Sequence, residues 1–271
     1  SLPGGGGEIF ADAVRRKIGL GKCGAEEWLT VMHVAHELGM NTSATMMFGH
    51  IEGVADRIHH MDLVRQWQEK AVLDFGPDGG GRYMAFITWP FQRENTPLGR
   101  VPDYDPTCGE PFAGDVVARL DGSGEKGMHS DFGRTVRMAG ASEYLRTQAV
   151  SRLMLDNIYS IGASWVTMGP HVGQLALAFG ASDMGSVMME ENVVSAAGTT
   201  YCLSEPVLCH LIRDAGFVPA QRDNAYDLIQ VHDSEAAPDL QVEDWSTLRQ
   251  QRLHIESTDP GESVQLTVES N

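Results

Sequence analysis

Three stretches gather residues whose types can do chemistry. Thr45-Met46-Met47-Phe48-Gly49-His50-Ile51-Glu52 sets a hydroxyl, two thioethers, an imidazole and a carboxylate close together. Thr88-Trp89-Pro90-Phe91-Gln92-Arg93-Glu94-Asn95-Thr96 adds amides, hydroxyls and charged groups. Thr167-Met168-Gly169-Pro170-His171-Val172-Gly173-Gln174 adds a further imidazole. Each follows an apolar, strand-like run. In a parallel barrel the loops after the strands' C-terminal ends build the active site, so the three stretches are expected to converge on one mouth. The Gly4–Gly7 loop is expected to join them. Its glycines let backbone N–H groups approach a ligand, and the helix that follows favours an anion.

Each feature also has a plainer reading. Glycine-rich loops are often only turns, and His50 can simply cap the next helix. His33 and His36 are three apart with no evident carboxylate partner, so they read as surface or core histidines. His59 and His60 are adjacent and cannot face one site. Arg152 and Asp156, four apart, read as a helix pair.

The elements that must position these residues follow from periodicity. Glu8 to Ile18 reads as a helix. Trp28, Val31, Met32, Ala35 and Leu38 mark one apolar helical face that Gly39 ends. Asn41 to Met47 reads as a strand. Val54, Ile58, Met61 and Arg65 carry a helix to about Gln68. Tyr83 to Trp89 is an apolar strand without polar alternation, as a doubly covered strand should be. Glu143 to Asn157 is a helix stepped by Leu145, Ala149, Leu153 and Asp156. Ala163 to Met168 reads as another buried strand, and His171 to Phe179 as a helix closed by Gly180. Ser204-Glu205-Pro206 starts a last helix that Gly216 stops. Strands and helices alternating with short links predict parallel strands with right-handed crossovers. Three confident strands are too few for a closed barrel of eight, so the expected fold is the second half of one, with extra material.

Composition narrows the function classes. The 37 acidic residues outnumber the 20 lysines and arginines, a formal charge of -17. That excludes broad nucleic-acid binding, which wants a basic face, while leaving room for a small anion in a local pocket. No apolar run approaches the ~20 residues of a membrane span. The four cysteines, at 23, 108, 202 and 209, form neither a Cys-x-x-Cys nor a zinc pattern. They suit a reducing cytoplasm. The chain opens inside a glycine loop without an initiator Met, and is expected to be the C-terminal part of a longer protein.

Leu2-Pro3-Gly4-Gly5-Gly6-Gly7-Glu8-Ile9, Thr45 to Glu52 and Phe86 to Thr96 together resemble the radical S-adenosylmethionine enzymes of the futalosine menaquinone pathway and of the deazaflavin (FO) synthase group. Ala149 to Ile158 resembles the menaquinone branches. Ser164 to Gln174 and Phe179 to Gly198 are more selective, and are similar to the branch that cyclises dehypoxanthine futalosine. The resemblance covers about 1–97 and 143–226. It implies an α/β fold: the C-terminal half of a radical SAM (β/α) TIM-like barrel with a C-terminal helical extension. It implies S-adenosylmethionine and a 4Fe-4S cluster as cofactors, and an electron donor such as flavodoxin or ferredoxin. The cofactor radical would abstract hydrogen from the substrate ribose, and the sugar radical would close a spirocycle on the aromatic ring. Loss of an electron and a proton then restores aromaticity.

The resemblance carries residues over one by one. Thr45, Met47, Gly49 and Glu52 match a G-x-I-x-G-x-x-E pattern, with Thr45 for the first Gly and Met47 for Ile. This implies that Met47 touches the cofactor adenine and that Glu52 orders the loop. Gln92, Glu94, Asn95, Thr96, Arg152 and His171 are the implied substrate contacts, with Arg152 or His171 meeting the benzoate carboxylate. His50 or Glu8 would take the proton after cyclisation. The cluster-binding Cys-x3-Cys-x2-Cys of the superfamily is absent, and Cys202-x6-Cys209 has the wrong spacing. This chain alone is therefore expected neither to bind the cluster nor to turn over. Aminofutalosine synthase or FO synthase chemistry is the alternative within enzymes. A cluster-less binding protein built on the barrel is the alternative outside them.

The expected organisation is a partial barrel over 1–97 and 143–180, with an inserted, partly disordered segment at 98–142 carrying a hairpin near Val116 to Leu120. A helical region follows over 181–232. The tail at 233–271 holds nine acidic residues and two arginines, and is expected to be weakly ordered.

Overall fold

The computed structural model describes residues 1–18, 21–94, 96, 98, 138–187 and 201–248. Residues 99–137 of the insertion expected at 98–142, with its expected hairpin, residues 188–200 of the expected helical region, and residues 249–271 lie outside these.

Strands β1 (Thr42–Phe48), β2 (Tyr83–Pro90) and β3 (Ser160–Gly162) form a parallel sheet in chain order. Parallel single-residue bridges prolong it at both edges, Leu2 to Thr42 and Asp183 to Gly162. Five segments thus lie side by side in sequence order, an arc without the reversal of a doubly wound sheet. The fold is α/β, with a parallel sheet and helical connections, as expected.

Helices α1 (Asp12–Ile18), α2 (Ala25–Glu37), α3 (Val54–Phe75) and α4 (Ala141–Met154) occupy the links. A one-turn α5 (Trp165–Met168), α6 (Pro170–Ala178) and α7 (Glu205–Asp214) follow. The helices α2 and α3 start in the same way. Glu27 accepts the Gly24 N–H and Asp56 accepts the Gly53 N–H, each at 2.8 Å, so a carboxylate inside the first turn reaches back to the cap.

The buried faces differ from the expected ones. In α2, Trp28, Leu29, Met32 and Ala35 are buried with His36, while Val31 and Leu38 are exposed. In α3, Arg57, His60, Met61, Val64, Gln68 and Ala71 face inward, while Val54 and Ile58 are exposed. Polar residues belong on this core face because they meet backbone. Gln68 accepts the Tyr83 N–H at 2.9 Å and donates to the carbonyls of Tyr83 and Asn157 at 3.0 and 3.1 Å. In α4, Gln148 accepts from the Thr88 hydroxyl at 3.1 Å and donates to the Gly162 carbonyl at 3.2 Å, joining β2 to β3. Buried amides that satisfy strand ends lock helix to sheet where apolar contact alone would let them slide.

Two expectations are corrected. Ala163 to Met168 is not a strand. The strand ends at Gly162 and the chain winds into α5, where the Ser164 carbonyl accepts from the Met168 N–H at 3.1 Å and the Thr167 hydroxyl at 3.2 Å. Arg152 does not pair with Asp156. Asp156 binds Arg65, and Arg152 donates to the Gly180 carbonyl at 2.9 Å, the Ile158 carbonyl at 3.3 Å and the Ser182 hydroxyl at 3.1 Å. The first residues of the acidic tail lie against α7. Arg213 on α7 holds Asp239 at 2.7 and 3.1 Å, and Ala237 is buried.

Past β3 the hairpin β4 (Ala220–Arg222) and β5 (Leu228–Val231) is antiparallel and largely exposed. It is fastened to the sheet edge by Arg222, whose Nε lies 2.7 Å from Asp183. No helix among the described residues is long and apolar enough to cross a membrane.

Candidate active site

The helices cover one face of the sheet, and the other lines a groove of about 1220 Å³. Ser43 and Met47 of β1, Ile87 and Trp89 of β2, and Gly162 of β3 form its wall. Strand parity explains the choice, because alternate residues point to opposite faces. Thr45 shares that parity, but the Gly4–Gly7 loop covers it and its hydroxyl donates to the Gly4 carbonyl at 2.6 Å.

The pairing register places the groove residues in rungs. At the C-terminal end of the arc, the Met47 N–H donates to the Glu8 carbonyl at 2.8 Å and Met47 pairs with Trp89. Ile87 pairs with Gly162, where β3 ends, and Ser164 follows at the start of α5. Glu8, Met47, Trp89 and Ser164 all line the groove. The Ser164 hydroxyl lies 2.8 Å from that of Thr167, which also lines it. Gly162 keeps the middle of the wall low, since a Cβ there would sit 2.9 Å from the Ile87 side chain.

Glu8 is held firmly. Its backbone is left-handed at φ 44°, a costly conformation for a residue other than glycine. Lys22 Nζ lies 2.5 Å from its carboxylate. Buried Arg15 donates to the Gly7 carbonyl at 2.6 Å and to the Cys23 carbonyl at 2.8 Å, which fixes the residues flanking both partners. The glycines before it serve the fold. A Cβ at Gly4 would lie 2.5 Å from the Ser43 carbonyl oxygen, and one at Gly7 would lie 2.7 Å from that of Thr45. Close packing on β1 requires these two glycines, and α1 is too short to offer an anion site.

The loop after β1 is a closed polar knot. Glu52 accepts from the N–H groups of Gly49 and His50 at 2.6 and 2.9 Å, and from Arg57 at 2.8 and 2.6 Å. Arg57 also reaches Glu143 at 2.8 Å and lies over the Phe48 ring. Burial alone would raise the Glu52 carboxyl, but His50, Arg57 and the Gly49 N–H outweigh it and bring it down to about 2. His50 is fully enclosed. Its Nε2 lies 3.1 Å from the Met47 carbonyl, and its Nδ1 lies 2.7 Å from the Ile51 N–H and 2.9 Å from Glu52. No ring nitrogen is left to face the groove, so His50 holds the loop and does not stand at the mouth.

The other expected contacts divide. Gln92 and Thr96 line the groove. Glu94 and His171 are exposed and do not, and Arg152 is tied to backbone as described. Asn95 lies outside the described residues. Sequence reasoning passed over Lys22, Trp89, Ser164 and Thr167, and also Arg222 and Tyr226 at the hairpin end. The signal for Trp89 was available in the parity of a strand whose partner Met47 was already singled out.

A 4Fe-4S cluster takes cysteine thiolates. Cys23 is exposed and Cys209 buried, and burial pushes the Cys209 thiol up to about 11, away from thiolate. Among the described residues no three Cys, His, Asp or Glu side chains come together to hold a metal, so these residues do not fit a cluster. Of the four residues expected at S-adenosylmethionine, Met47 faces the groove, while Thr45, Gly49 and Glu52 shape the loop beside it.

Residues 126–235 match the family model described as the CofH/MqnC C-terminal region. The chain is 37% identical over 238 residues to a cyclic dehypoxanthine futalosine synthase of Halalkalibacterium halodurans, covering 88% of this chain and 52% of that protein. It is 34% identical to an aminodeoxyfutalosine synthase of Thermus thermophilus, over 86% of this chain and 52% of the relative. It is 33% identical to a 5-amino-6-(D-ribitylamino)uracil–L-tyrosine 4-hydroxyphenyl transferase of Methanothermobacter thermautotrophicus, over 85% and 53%. The chain spans about half the length of these curated relatives. Residues 126–235 thus carry the CofH/MqnC C-terminal region, and the wider chain is similar to the enzymes named above.

Proposed function

We propose that this chain is the substrate-holding half of a radical S-adenosylmethionine enzyme that cyclises dehypoxanthine futalosine in menaquinone biosynthesis. The observation that carries the reading is the groove itself: an arc of parallel segments in chain order, its concave wall apolar, its mouth ringed by Glu8, Ser164 and Thr167. Parallel segments in chain order with helices on one face are what half of a (β/α) barrel would present, with its active site at the strands' C-terminal ends. A cluster would be held by residues other than those described.

The residues of this chain have binding and proton-transfer tasks. Ser164, Thr167, Gln92 and Thr96 supply hydroxyls and an amide for the ribose. The apolar wall excludes water from the reacting carbons. Glu8, oriented by Lys22, is the group at the mouth able to take the proton lost when the ring regains aromaticity. Lys22 can satisfy Glu8 and still offer donors to a substrate carboxylate.

Anaerobic incubation of the protein expressed from its complete gene, with S-adenosylmethionine, reductant and dehypoxanthine futalosine, tests this. Formation of 5'-deoxyadenosine together with the cyclised product is expected. An aminofutalosine-type product from the corresponding precursor would move the chain to the sibling branch. Ligand binding without turnover would make it a binding protein.

A further inference from the structure

The chain has five tryptophans, and four of them have internal partners. Trp28 donates to the Gly5 carbonyl at 3.1 Å and packs on Phe10 and Tyr83. Trp165 donates to the Met184 carbonyl at 2.7 Å. Trp67 meets the His33 ring at 5.5 Å, and Trp245 meets the His210 ring at 4.6 Å. Trp89 differs. Among the described residues its ring has no aromatic neighbour, and its indole N–H, like those of Trp67 and Trp245, makes no hydrogen bond to protein. It stands half-buried in the groove wall, paired in register with Met47. A large indole in a strand wall, with neither ring nor N–H engaged, is set to receive a ligand.

We infer that Trp89, with the Met47 thioether beside it, is the binding subsite for a planar aromatic ring carrying a hydrogen-bond acceptor. A ring stacks offset on the indole, and thioether–aromatic contact extends the surface. The acceptor group meets the indole N–H. Glu8 and the Ser164–Thr167 hydroxyl pair line the same groove. This deepens the proposed function and rests on it: the ring would be the benzoate part of the substrate.

Ligand-observed NMR titration of the complete protein with benzoate and with cyclohexanecarboxylate tests the subsite. The two probes share charge and approximate size and differ in planarity. Wild-type protein should prefer benzoate by up to about tenfold, the range of an aromatic pair. Trp89→Phe should keep most of the preference, and Trp89→Leu should bring it within about twofold. Benzoate should also shift an indole N–H resonance that is missing from Trp89→Phe, a readout that does not depend on the leucine variant folding. Equal binding of both probes by wild-type protein would overturn the inference. So would a preference that survives in folded Trp89→Leu, or a shift confined to another indole. Failure of the underlying function looks different: Trp89-dependent benzoate binding in a protein that forms no cyclised product.

Discussion

The two faces of one short sheet have taken opposite kinds of residue. The helix-covered face and the loop above it hold the titratable and amide groups: Glu52, Arg57, His50, His60, Gln68 and Gln148, nearly all bonded to backbone or to each other. The groove wall holds methionine, isoleucine, tryptophan and hydroxyls, with the ion-paired carboxylates Glu8 and Asp183 at its rim. The lesson is that polarity in this molecule marks scaffold more than site. Polar groups buried behind the sheet must find partners, and so fix its geometry. The groove wall has no such obligation and stays open to a ligand.

Breaking the knot behind the sheet should cost most. Arg57→Met leaves Glu52 and Glu143 without their shared cation in a buried site. A stability loss of about 3–5 kcal/mol is expected in urea unfolding. A loss under 1 kcal/mol would mean that the knot is decorative. The loop glycines come next. Gly7→Ala drives a Cβ to 2.7 Å from the Thr45 carbonyl oxygen and 2.9 Å from its hydroxyl, and should cost about 1–3 kcal/mol in the same assay.

Acid should act through the covered face. His60 is fully buried, stacked on Phe10 at 4.0 Å, and neither ring nitrogen has a well-formed hydrogen bond. Burial, helped by Arg15, pushes it down to about 3 from an ordinary 6.5. His36 is pushed down to about 4, by burial first and then by His33 and Arg82. Both are neutral in the folded protein where the unfolded chain has bound a proton. Stability is therefore complete above about pH 6.5 and falls as pH drops toward 4, by about 1.4 kcal/mol per pH unit for each histidine. His60→Phe keeps the ring and removes the titration. Its unfolding free energy should fall with acid about 1.4 kcal/mol per pH unit less steeply than wild type. An unchanged slope would place the acid sensitivity elsewhere.

The smallest stability effect belongs to the groove. Thr167→Ala removes a hydroxyl that lines the cavity, and should change unfolding free energy by no more than about 0.5 kcal/mol. The same variant should raise KM for the ribose-bearing substrate. A large stability loss with unchanged KM would erase the contrast between the faces.

Much of this was legible beforehand, for physical reasons. Parallel strands linked by helices follow from the order of apolar runs, and β1 and β2 sit within a residue of their expected bounds. The α5 turn was misread because a buried helical turn, Trp165-Val166-Thr167-Met168, is as apolar as a buried strand, and period alone cannot separate them over so few residues. The site was legible as a neighbourhood but not as a set of roles. His50 and Glu52 lie three and five residues beyond Met47, yet only Met47 faces the groove. A loop sequence does not say which polar groups will be consumed in holding the loop itself. The Asp74 partner of His33, 2.9 Å away, is 41 residues distant in sequence and invisible to local spacing. Trp89 hid within an apolar strand because nothing in composition separates a ligand-facing indole from a core one.

The most direct test is a structure of the complete protein with dehypoxanthine futalosine bound. The aromatic ring should lie along the rung of Met47 and Trp89, with the ribose toward Ser164 and Thr167 and Glu8 at the mouth. A substrate held instead by His50, Arg152 or His171, outside the groove, would contradict the account.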